Sequence, residues 1–115
     1  MFKSNKNPQF RTKFSEDIFY TKYAHENAET MYELAATLVE DVCEDRLTPS
    51  EKTELTNHIA ELRFLPGGRY LYYAGRDKKF FNNCYLLDCE EDTREDWANL
   101  SWKAESCLMT GGGIG

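Results

Sequence analysis

Apolar and polar positions alternate in a helical rhythm over two long stretches. Met31, Leu34, Ala35, Leu38 and Val42 form one stripe at a 3.6-residue period, with Glu29, Glu33, Glu40 and Asp41 on the polar side. A helix is therefore expected over about Ala28 to Glu44. A second helix starts at Thr48-Pro49-Ser50-Glu51, where Thr48 can cap, Pro49 suits the first turn and Glu51 completes a capping box. Leu55, Ile59 and Leu62 are its expected buried stripe, and the short link makes the two helices an antiparallel pair. Upstream, Phe2, Phe10, Phe14, Phe19, Tyr20 and Tyr23 show no sustained period, so residues 1–26 are expected as an arm with a short helix near Ser15 to Tyr23.

After Pro66-Gly67-Gly68 the rhythm changes. Tyr70 to Tyr73 predict a short strand, Ala74-Gly75-Arg76-Asp77 a turn, and Cys84 to Asp88 a second, more buried strand. A last helix is expected from Asp92 or Thr93 to Met109, with Asp96 as its capping-box acid. Its buried stripe would be Trp97, Leu100, Ala104, Cys107 and Leu108. Gly111-Gly112-Gly113-Ile114-Gly115 then forms a turn whose backbone no Cβ shields. Strand, helix and glycine turn make a β–loop–α unit, which a parallel crossover usually completes. The expected domains are an arm (1–26), a helical region (27–65) and an α/β part (66–115).

Bulk properties narrow the function classes. The 115 residues allow one small domain, and 41% apolar with 30% charged residues is ordinary for a globular chain. A net charge of −6 argues against nucleic acid or an anionic membrane as the main partner. The exception is a basic start carrying Lys3, Lys6, Arg11 and Lys13. No apolar run is long enough to span a bilayer and none resembles a signal-peptide core, so a cytoplasmic location is expected. Cys43, Cys84, Cys89 and Cys107 are then reduced, and their spacing, with His25 and His58 far from paired thiols, fits no zinc pattern. No metal site is expected. Cys43 and Cys107, on helical stripes, read as small core hydrophobes, whereas Cys84 is either a core residue or a thiol displayed at a strand end.

Four motifs in order carry a resemblance: Phe64-Leu65-Pro66-Gly67-Gly68-Arg69, Ala74-Gly75, Asn82-Asn83-Cys84, and Leu108-Met109-Thr110 before the glycine turn. Over residues 48–115 this set resembles the opening of the catalytic barrel of ribonucleotide reductases, most like the adenosylcobalamin-dependent class II. The resemblance implies an α+β fragment: a helical lead-in followed by the first strand-helix unit of a ten-stranded α/β barrel. It implies that Cys84 is one of two redox cysteines reducing the ribose 2′ position, its partner lying on a later strand. Asn83 and Cys84 would border the ribonucleotide substrate, with Gly112 and Gly113 letting backbone approach it. Gly68 stands where relatives often have a serine or threonine touching substrate, and here only backbone can serve. Glu91 or Asp92 falls near the specificity effector, a deoxynucleotide or ATP. The implied cofactor is adenosylcobalamin, and the implied reductant an external dithiol such as thioredoxin.

Because the family's barrel continues far beyond such a turn, the expected partner is a second polypeptide carrying the rest of it. The chain is then a split piece, a segment before an intervening protein element, or a truncated remnant, silent by itself. The rival expectation is a non-catalytic helical docking module.

Overall fold

The computed structural model describes residues 10–115, which divide into one compact unit running to Lys79 and another, Phe80–Gly115. Most of the basic start lies outside the described residues.

The first unit is helical. Helix α1 (Lys13–Ile18) is capped by Thr12, whose hydroxyl accepts from the Ser15 N–H, and it runs into a π-helical turn, Phe19–Tyr23. That turn buries Phe19, with the Phe10 ring 5.3 Å away. Helix α2 spans Met31–Cys43. It begins three residues later than the apolar stripe suggests, because Ala28 is held outside it by reciprocal backbone hydrogen bonds with His25. Thr30 and Glu33 then close a capping box, so Glu33 serves the helix start as well as its polar face. The buried stripe is Met31, Leu34, Ala35, Leu38 and Val39, with Val42 half-buried at the edge.

Helix α3 (Pro49–Ala60) starts as its sequence predicts: Thr48 accepts from the Glu51 N–H, and the Glu51 carboxylate accepts from the Thr48 N–H at 2.8 Å. It packs along α2 through Ile59 and Ala60, and Lys52 reaches Glu40 across the pair at 3.0 Å. Burying Leu34 completely is worth roughly 1.5–3 kcal/mol in transfer free energy, so a handful of such positions sustains this small core.

The segment expected as a strand at Tyr70 to Tyr73 is instead helix α4, Gly68–Tyr73. The tyrosines favour β structure locally, but Leu71 and Ala74, three residues apart, are both buried, and only a helical turn puts both on one face. Tertiary burial decides the segment. At its end Gly75 takes φ +73°, where an added Cβ would stand 2.8 Å from Thr37 Cγ2 and 3.1 Å from His25 Cε1. The Gly75 N–H donates to Asp41 at 2.9 Å, Asp41 pairs with Lys79, and His25 Nε2 meets the Ala74 carbonyl at 2.7 Å. These bonds tie α4 to α2 and to the His25 turn.

The second unit is one β–α–β element: β1 (Cys84–Tyr85), α5 (Arg94–Met109) and β2 (Gly113–Ile114). The strands pair in parallel, Cys84 opposite Gly113 and Tyr85 opposite Ile114. Parallel neighbours need a crossover on the order of a dozen residues or more, which α5 and its loops supply. The glycine stretch is therefore partly strand, entered through Gly111 at φ +81°. Strand β1 is shorter than the expected Cys84 to Asp88, and Cys84 is exposed instead of buried. Helix α5 has the expected bounds and Thr93 cap, but Asp96 does not close a capping box: its carboxylate turns back to the Glu91 N–H at 2.7 Å. None of its residues is fully buried, the predicted stripe included. Among the described residues, no helix is long and apolar enough to cross a membrane.

Candidate thiol site

Four of the residues that the sequence singles out come together at the strand pair. Asn83, just before β1, accepts the Gly113 N–H on its carbonyl at 2.8 Å. Two further bonds extend the pairing: the Gly115 N–H donates to the Tyr85 carbonyl at 3.0 Å and the Leu87 N–H to the Gly115 carbonyl at 2.8 Å. The pairing places the Cys84 thiol beside Gly113, with Sγ 3.4 Å from where a Cβ on that residue would stand. Gly112 is buried, and Tyr85 carbons occupy the space on its open side. Asn83, Cys84 and Gly113 are exposed.

The other predicted site residues sit elsewhere. Glu91 and Asp92 lie in the β1–α5 loop and are engaged in holding it: the Glu91 carbonyl accepts from the Cys89 thiol at 3.1 Å, and Asp92 accepts the Trp97 indole N–H at 2.9 Å. Gly68 belongs to the first unit, as the opening residue of α4, with the Tyr23 hydroxyl 3.4 Å from its Cβ position.

The environment separates Cys84 from Cys89. Cys89 is half-buried and lies 3.8 Å from an Asp96 carboxylate oxygen. Desolvation first, then the charges of Asp96, Asp92 and Asp88 together with the Asp96 hydrogen bond, push its thiol above the ordinary range. A thiol so held is a poor nucleophile near neutral pH. Cys84 is exposed at the strand pair. The acidic run 88–96 is visible in the sequence, but only the fold-back of Asp96 brings a carboxylate to the Cys89 sulfur.

The first unit carries an apolar groove of about 540 Å³ between α2, α3 and the segment before α4, lined by Leu38, Val42, Leu55, Phe64 and Leu65 among others. No group of three or more His, Cys, Asp or Glu side chains among the described residues is placed to hold a metal ion. Comparison of the chain with family models, curated proteins and solved structures returns no match.

Proposed function

We propose that this chain supplies one redox cysteine, Cys84, and part of the substrate floor to a ribonucleotide reductase, with the remaining barrel provided by further polypeptide. The observation that carries the reading is the exposed Cys84 thiol on a strand paired in parallel with the glycine segment, at the start of a β–α–β element. The chemistry needs such a thiol. Reducing the ribose 2′ position takes two electrons from two thiols, releases the hydroxyl as water and leaves a disulfide, which an external dithiol such as thioredoxin returns to thiols. Asn83 and Gly113 lie beside Cys84 and are exposed, as residues bordering a ribonucleotide would need to be.

Adenosylcobalamin, which the resemblance brings with it, would supply the initiating radical. The two histidines of this chain are engaged, His25 with the Ala74 carbonyl and His58 beside Glu54 at 3.7 Å, and no residue here is assigned to that group. As an effector contact the Asp92 carboxylate would have to share or give up the Trp97 indole N–H, whereas Glu91 holds the loop through its backbone and keeps its carboxylate for such a contact. The test is reconstitution: the chain, a polypeptide carrying the rest of the barrel, adenosylcobalamin and a dithiol should reduce ribonucleotides. Cys84→Ser should abolish turnover, and full activity in that variant would exclude the redox role.

A second reading, a non-catalytic docking module, draws on α5. Trp97 and Trp102 are 58% and 66% exposed on this helix, and Met109 at its end is 88% exposed. Surface of that kind marks an interaction site, and the same faces would be covered inside a completed barrel. The readings part at Cys84. A docking module keeps its function when that thiol is replaced by serine.

A further inference from the structure

We infer that Tyr85 is the positioning residue for the Cys84 thiol, and that Gly112 is glycine to make room for the Tyr85 ring instead of a ligand. The inference rests on the reading of Cys84 as the working thiol and adds what holds it in place. Successive side chains of a strand point to opposite faces, so Cys84 and Tyr85 act on different sides of the same short pairing. On the Tyr85 side, a Cβ at Gly112 would stand 2.5 Å from Cε2 and 3.0 Å from Cδ2 of the ring. Carbon atoms in good contact are about 3.5–4.0 Å apart, so the ring and a methyl group cannot share this space. On the Cys84 side, a Cβ at Gly113 would meet Sγ at 3.4 Å, an ordinary contact. The two neighbouring glycines therefore differ. Gly113 tolerates a methyl group and Gly112 does not.

The ring is rigid and leaves the backbone next to Cys84. The Tyr85 carbonyl accepts the Gly115 N–H within the pairing that sets Cys84 opposite Gly113, so a methyl group pressed against the seated ring is expected to strain that register. Seen this way, the ring seated on Gly112 works as a clasp, and the thiol's position is its output.

The full chain is compared as Gly112→Ala, Gly113→Ala, Tyr85→Phe, Tyr85→Val and Tyr85→Val with Gly112→Ala. Two readouts are taken: amide hydrogen exchange at residues 113 and 115, and the pH profile of alkylation at Cys84 resolved by peptide mass. Gly112→Ala should speed exchange at both amides by about tenfold, as overpacking against a fixed ring does, and should shift the Cys84 profile. Gly113→Ala and Tyr85→Phe should match the parent, since neither removes the ring nor fills its seat. Tyr85→Val should shift the profile, and adding Gly112→Ala to it should bring no further change in either readout.

Should Gly112→Ala alone fail to fold, recovery of its circular dichroism by Tyr85→Val supports the clasp, and failure to recover overturns it. Parent-like behaviour of Gly112→Ala, or equal harm from it with and without the ring, also overturns it. The Cys84→Ser reconstitution keeps Tyr85 and Gly112 intact, so its failure is read separately from failure of the clasp.

Discussion

Cys84 and Cys89 sit five positions apart on one short segment, yet their surroundings assign them opposite chemistry. Alkylation of the folded chain should label the exposed Cys84 first, with Cys89 lagging at about pH 7.5, a lag that shrinks as pH rises and the thiolate of Cys89 forms. Peptide-resolved mass spectrometry checks this; Cys89 labelling ahead of Cys84 would contradict it. Gly75 is the other residue whose identity is decided by a few ångströms. Gly75→Ala forces a methyl group onto Thr37 and His25 at a left-handed backbone, and should lower unfolding free energy by about 1–3 kcal/mol, measured by urea denaturation. The sequence made the Ala74-Gly75 turn legible. It did not reveal that the turn docks on His25, a partner 49 residues away.

At the scale of elements, what could be read was what is local. Thr48, Pro49 and Glu51 lie within four positions, and the helix they announce begins where expected. Thr48→Ala should cost about 1 kcal/mol in urea denaturation, the usual worth of such a cap. The Glu51 carboxylate is held below its ordinary value near 4.5, first by the Thr48 backbone N–H and then by the Thr48 hydroxyl. A depressed acid stabilises the folded state above its unfolded value and loses that contribution as pH falls through the folded value. Stability should therefore begin to fall below about pH 4.5, and Glu51→Gln should remove this portion of the acid dependence in thermal melts taken from pH 6 to pH 3. Helix α4 was illegible for the converse reason: its tyrosines point to a strand, and the burial of Leu71 and Ala74 that overrides them is long-range. The shortness of β1 has the same origin. An apolar run promised burial, but Leu86 is 90% exposed and the strand is confined to Cys84 and Tyr85, with one further bond from Leu87.

Across the whole molecule, the two units differ in how their apolar surface is covered. The first encloses a core built on α2, from Phe19 to Ala74. The second leaves α5 without a buried residue and carries a groove of about 460 Å³ lined by Leu87, Trp97, Leu100, Ala104 and Ile114. Trp97→Ala should accordingly change the stability of the isolated chain little, by less than about 1 kcal/mol, while weakening assembly with a polypeptide that completes the barrel. Calorimetry of the chain alone and titration with that polypeptide separate the two effects. The central claim remains the redox role of Cys84, and single turnover tests it most directly. The assembled protein, given ribonucleotide and a radical source without external dithiol, should form one deoxyribonucleotide for each Cys84 that becomes resistant to alkylation, and dithiothreitol should restore labelling. Deoxyribonucleotide formed while Cys84 stays fully alkylatable would contradict the account.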